Sequence, residues 1–183
     1  MQEQCIFAGF GGQGTLLIGK LLASGAMMEG KEVTWLPSYG PEMRGGTANC
    51  TVVVSDRPIA APVVTSPDTV IAMNLPSLVK FEQSIKSGGV LLINSTLIDV
   101  KSSRADLRVV YIPAGEIAEQ AGNPKGANMV MLGGYLAMKG EVVGVEHVVE
   151  AMEEDPGLGK RTLLDGNIRG LYAGMEYVKN LNF

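Results

Sequence analysis

The residues best suited to chemistry are the glycines of Gly9-Phe10-Gly11-Gly12-Gln13-Gly14, which satisfy G-x-G-x-x-G. They stand between an apolar run that reads as a strand, Gln4–Phe10, and a helical pattern from Thr15 to about Met28, the context such a loop requires. Without side chains, backbone amides can approach a phosphate, and the helix N-terminus behind them contributes partial positive charge. The same glycines would also serve a tight strand-to-helix turn that binds nothing. Dinucleotide binding needs an acid at the end of the second strand, about 20 residues on, to hold the ribose hydroxyls. That strand instead ends Leu36-Pro37-Ser38, and Glu29 and Glu32 precede it. NAD is therefore disfavoured, while a phosphate of another ligand stays open. The overlapping G-x-x-x-x-G-K of Gly14–Lys20 is followed by Leu21, so the hydroxyl that would bind magnesium is missing. Lys20 then reads as a solvated helix residue.

A second loop, Ser38-Tyr39-Gly40-Pro41-Glu42-Met43-Arg44-Gly45-Gly46, follows the second strand. Tyr, Met and Arg are enriched at interface cores. Here a proline and three glycines shape the loop that carries them. The guanidinium of Arg44 could pair with a phosphate or carboxylate through two parallel bonds. Ser38, Tyr39, Gly40, Arg44 and Gly45 thus join Gly9, Gly11, Gly12, Gln13 and Gly14 as candidate cofactor-binding residues. No catalytic and no metal-binding residue is assigned.

The other reactive residues are sparse. Cys5 and Cys50 lie in apolar runs, where cysteine behaves as a small buried hydrophobe, and two cysteines cannot hold a four-thiolate cluster. A single histidine, His147, rules out a multi-histidine metal site and sits among helical valines as a half-packed surface residue. No Gly-x-Ser-x-Gly elbow is present to anchor a hydrolase triad. Asn123 and Asn128 flank a helix start and read as caps. Met129, Met131 and Met138 read as core filling.

Elements that could position these residues follow from the patterning. Further strands are expected at Val33–Leu36 (stopped by Pro37), Thr47–Ser55, Thr69–Met73, Gly89–Ile93 and Arg108–Ile112. Helices are expected at Pro76–Ile85, Ala114–Gln120, Gly126–Met138, Val145–Glu154 and Lys160–Leu181. In the first helix, Gly19, Ala23 and Ala26 form a small-residue face that allows close packing on a sheet. The expectation is a single three-layer α/β/α domain over residues 1–183, with a largely parallel sheet and a helical C-terminal part. Of 183 residues, 46% are hydrophobic and 19% charged, which supports a packed core and excludes disorder. A net charge of −4 leaves no basic footprint for nucleic acid. The longest stretch without charges or amides, Met129–Met138, is ten residues, too short to span a bilayer. With no leader evident, a cytoplasmic protein is expected.

Three segments together, GFGGQG at 9–14, SYGPEMRGGTANC at 38–50 and GNPKGANMVMLG at 122–133, resemble the gamma subunit of the 2-oxoacid:ferredoxin oxidoreductases. SDRPIAAPVV at 55–64 extends the resemblance over almost the whole chain, and the second segment is most similar to the 2-oxoglutarate branch; pyruvate and branched-chain enzymes carry related loops. The resemblance implies a non-catalytic subunit of a complex that converts a 2-oxoacid and CoA to acyl-CoA, CO2 and reduced ferredoxin. It implies alpha and beta partners, a ferredoxin-like delta subunit as a further candidate, and ferredoxin as acceptor. Thiamine diphosphate, magnesium and [4Fe–4S] clusters would reside on the partners. CoA would be the ligand shared at the interface with this chain, and neither nucleic acid nor membrane would be a partner.

Overall fold

In a computed structural model that describes residues 1–38, 47–158 and 161–181, the chain begins with β1 (Gln2–Phe10), α1 (Thr15–Met28), β2 (Glu32–Ser38) and β3 (Thr47–Ser55). β4 (Thr69–Ala72), α2 (Leu75–Phe81), β5 (Val90–Asn94) and β6 (Arg108–Ile112) follow, with a 3₁₀ turn at Glu82–Ser84 after α2. The chain ends in α3 (Ala114–Gln120), α4 (Ala127–Met138), α5 (Val145–Glu154) and α6 (Arg161–Lys179). The six described strands form one sheet in the order β2-β3-β1-β4-β5-β6.

The sheet is mixed, which refines the expectation of a largely parallel one. β1, β4, β5 and β6 pair parallel, whereas β3 is antiparallel to both β1 and β2. Chain length explains this. Only residues 39–46 join β2 to β3, and a parallel crossover needs a dozen or more. β2 also runs through Pro37, which stands opposite Cys50, instead of stopping before it. It lies at the sheet edge, where a strand tolerates a residue with no N–H.

The two faces of the sheet bury different amounts. Phe7, Cys50, Val52, Ile71, Leu92 and Val110 face the main core under α1, α3, α4, α5 and α6. Phe7 meets Tyr135 of α4 edge to face at 6.1 Å, both fully buried. Ile6, Ala8, Val70, Leu91 and Ile93 face a smaller core closed by Leu78, Ile85 and Ile98. Helix α1 presses close because Gly19 lies over Cys50, where a β-carbon would overlap the Cys50 sulfur. The small face read in the sequence is thus a packing device. Among the described residues no helix is long and apolar enough to cross a membrane.

Candidate functional site

The parallel strands β1, β4 and β5 all point their C-terminal ends at one cavity of about 300 Å³, the position where open α/β sheets receive ligands. Gly12, Gln13 and Gly14 form one wall after β1. Met73 and Asn94 form the floor, at the ends of β4 and β5. Lys125, Ala127 and Asn128 bring in the start of α4, and the exposed Leu97 completes the lining.

The loop after β1 folds as the glycine spacing requires. The Gln13 amide donates to the Phe10 carbonyl at 3.1 Å, closing a tight turn. Gly12 and Gly14 have φ of 93° and 74°, where a side chain would be strained, and Gly11 does not share this region. Gly14 is also the N-cap of α1, and the Ile18 amide donates to its carbonyl at 3.1 Å. Helix α4, with Gly126 as its N-cap, starts beside this turn, where Asn128 Nδ2 lies 3.5 Å from the Gly14 carbonyl. Neither helix has a side-chain cap or an acidic residue in its first turn. Two uncompensated helix N-termini and Lys125 therefore open onto one cavity whose lining, among the described residues, holds no carboxylate. That combination favours an anionic or strongly hydrogen-bond-accepting group.

Of the residues expected to bind, Gly12, Gln13 and Gly14 line the cavity. Gly9 lies at the end of β1 and Gly11 is exposed in the turn; neither lines it. Ser38 is exposed at the end of β2 and is not in the lining. Tyr39, Gly40, Arg44 and Gly45 lie outside the described residues. Topology gives a second reason against dinucleotide binding. β3 separates β2 from β1, so the end of β2 stands two strand spacings, roughly 10 Å, from the β1 turn.

Three readings of individual side chains change. Asn123 and Asn128 are not caps. Asn123 donates from Nδ2 to Asn167 Oδ1 at 2.9 Å, whereas Asn128 is mostly buried in α4 and donates from Nδ2 to the Gly14 carbonyl at 3.5 Å. Lys20 is paired instead of merely solvated, with Nζ 2.7 Å from Oδ2 of the largely buried Asp155. His147 is half-packed as expected, and its Nδ1 lies 3.0 Å from Glu29 Oε1. Sequence reasoning missed Met73, Asn94, Leu97, Lys125 and Asn128 as cavity residues. The signal for the last two was the polar Asn123-Pro124-Lys125-Gly126-Ala127-Asn128 run, which capping alone does not explain.

Cys5 and Cys50 are free and buried, on the core side of β1 and β3. Burial pushes the Cys50 thiol up to about 12 and the Cys5 thiol well above its usual value, the latter helped by the nearby Glu3. Both remain thiols at neutral pH.

Residues 4–177 match the family model described as pyruvate ferredoxin/flavodoxin oxidoreductase. The chain belongs to this family. A ketoisovalerate oxidoreductase subunit VorA from Methanothermobacter thermautotrophicus is 41% identical over 94% of the chain, which spans only 35% of that longer relative. A 2-oxoglutarate synthase subunit KorC from Methanocaldococcus jannaschii is 34% identical over 99% of the chain and 96% of its own length. Among solved structures, the gamma subunit of a keto/oxoacid ferredoxin oxidoreductase from Geobacter sulfurreducens superposes with a TM-score of 0.82 at 28% identity, covering 98% of the chain and 99% of that subunit. Family and fold thus agree with the resemblance carried by the three motif segments.

Proposed function

We propose that this chain is the gamma component of a CoA-dependent 2-oxoacid:ferredoxin oxidoreductase and that its cavity receives an anionic part of CoA. The observation that carries this reading is the meeting of α1, α4 and Lys125 around a cavity that no acid among the described residues lines. At about 300 Å³ the cavity is at the small end for ligands, so it houses one portion of CoA and leaves the rest to a partner surface. Gly12 and Gly14 amides, Lys125 and Asn128 supply donors to that portion. Arg44, in one of the three segments that carry the family resemblance, is the proposed second cation, toward a CoA phosphate or a partner carboxylate.

The redox chemistry belongs, in this reading, to other chains. Among the described residues no three His, Cys, Asp or Glu side chains gather as a metal site. Cys5 and Cys50 are held as buried thiols, the form that does not ligate iron–sulfur clusters. Alpha and beta chains carry thiamine diphosphate, magnesium and clusters, with a ferredoxin-like delta chain and ferredoxin beyond them. The chain shapes and completes their site, and the complex works in the cytoplasm.

For the oxoacid we propose 2-oxoglutarate, supported by the 38–50 segment and by the KorC relative of matching length. Ketoisovalerate is the second reading, favoured by the higher identity to VorA. Purifying the chain with its native partners, then assaying viologen reduction with CoA and each oxoacid, tests both. CoA-dependent activity that disappears when this chain is stripped and returns when it is added back is expected. Full activity without the chain overturns the proposal, and the preferred oxoacid decides the branch.

A further inference from the structure

Gln13 was expected to touch the ligand, yet its carboxamide is turned back onto the protein. Oε1 accepts from the Phe10 amide at 2.6 Å and from Asn74 Nδ2 at 3.3 Å. Nε2 donates to the Met73 carbonyl at 3.4 Å, an oxygen that also accepts from Asn94 Nδ2 at 3.4 Å. Asn74 is in turn the cap of α2, its Oδ1 accepting from the Ser77 amide at 2.9 Å. One side chain thus ties the end of β1 to the end of β4 and to the start of α2.

The first glycine of the motif has its reason here. A β-carbon on Gly9 would stand 2.6 Å from Gln13 Oε1 and 2.9 Å from Met73 Cβ. Gly9 is bare so that the carboxamide of Gln13 can lie across the strand end. The glycine at position 12, by contrast, has open space around it and faces outward with positive φ. The loop therefore divides its work. Gly9 and Gln13 hold the turn from behind, and Gly12 and Gly14 present backbone to the cavity.

We infer that Gln13 is a positioning residue, which holds the 10–14 loop so that its amides face the ligand and does not itself contact the ligand. This rests on the reading above that the cavity takes part of CoA. It adds that affinity comes through the loop's shape. Removing the carboxamide frees the Phe10 amide and loosens the turn, so the free chain spends less time with its amides converged. Loss of the short bond to the Phe10 amide, the tightest of the three, makes the loop open about tenfold more often, and binding that needs the closed shape weakens by a similar factor.

The test uses the full chain with CoA as probe, in wild type, Gln13→Ala, Gln13→Met and Lys125→Ala. Methionine fills the space above Gly9 without hydrogen bonds, and so keeps the fold if alanine does not. Amide hydrogen exchange is followed over residues 10–14 and CoA affinity by calorimetry. Both Gln13 variants should exchange about tenfold faster in that segment and bind CoA about tenfold more weakly, with unchanged exchange in β5 and α4. Lys125→Ala should weaken CoA binding with wild-type exchange. Weaker binding by Gln13→Met without faster exchange would mean that Gln13 touches CoA, and the inference fails. Faster exchange with wild-type affinity would make it a structural strap only, which also overturns it. If wild type itself does not bind CoA, the CoA reading falls, and exchange at 10–14 alone decides whether Gln13 holds the loop.

Discussion

Gly174 of α6 lies so close to Val130 of α4 that a β-carbon there would overlap the Val130 carbonyl oxygen. Four residues earlier, Gly170 has only ordinary contacts, its nearest neighbours being 3.6 Å away. Two glycines of one helical stripe thus differ in what they permit. Gly174→Ala should destabilise by roughly 1–3 kcal/mol or more, because neither backbone can give way without parting the helices. Gly170→Ala should be neutral or stabilise by up to about 1 kcal/mol, since alanine suits a helix better. Thermal unfolding of the two variants checks this, and equal melting temperatures would contradict the close crossing.

The two thiols give a second expectation. With both sulfurs buried and Cys50 raised to about 12, an aromatic disulfide reagent should find neither at neutral pH in the native chain. Both should react once the chain is unfolded in guanidinium. Fast labelling of one thiol in the native state would show that β1 or β3 opens on that timescale.

Acid stability follows from three partly buried carboxylates. Burial of Glu29 opposes its charge, but Lys31 and the Gly144 amide outweigh it and lower its pKa. Asp155 is lowered against burial by Lys20 and the Gly157 amide. Glu82 is lowered against burial by Ser102 and Ser103. A folded pKa below the unfolded value near 4 gives stability that is present above about pH 4 and lost as pH falls through the folded values. The urea midpoint should therefore be flat from pH 7 to about 5 and drop steeply below 4. Asp155→Asn, which leaves Oδ1 as acceptor for Gly157, should make the drop shallower. An unchanged acid limb in that variant would assign the loss to the other two carboxylates.

Much of this arrangement was legible because it is local. Thr15–Met28, Thr47–Ser55, Arg108–Ile112, Ala114–Gln120 and Val145–Glu154 coincide with the elements read from apolar spacing. The glycine loop was legible too, since positive φ at Gly12 and Gly14 is something only glycine accepts readily. What escaped is not local. Lys125 and Asn128 reach the cavity only because α4 starts beside the β1 turn, more than a hundred residues away. The hydrogen bonds that hold Gln13 escaped in a similar way, because its partners Met73 and Asn74 come from the end of β4. The antiparallel β3 could have been inferred from the eight residues at 39–46, but strand periodicity carries no direction. Lys20 read as solvated because its partner, Asp155, is 135 positions on.

Asn128 gives the sharpest test of what the cavity accepts. Its side chain lies within the first turn of α4, lines the cavity and makes one long bond to the Gly14 carbonyl. Asn128→Asp changes one atom and introduces a negative charge at the helix end that carries no acid in its first turn. For the helix dipole this is favourable, by about 0.3–1 kcal/mol, but it loses the 3.5 Å bond and sets a largely buried carboxylate against the Gly14 carbonyl oxygen. Thermal stability at pH 7 should therefore fall modestly, with the fold kept. For an anion in the cavity the same charge is repulsive within a few ångströms, and removal of the amide also removes a donor. CoA affinity should fall at least about tenfold, most strongly at low salt, where screening is weak. Asn128→Ala separates the two contributions, since it deletes the donor without adding charge and should cost only a few-fold. If Asn128→Asp binds CoA as well as wild type across salt concentrations, no anionic part of the ligand sits between α1 and α4, and the portion of CoA assigned to this cavity is wrong.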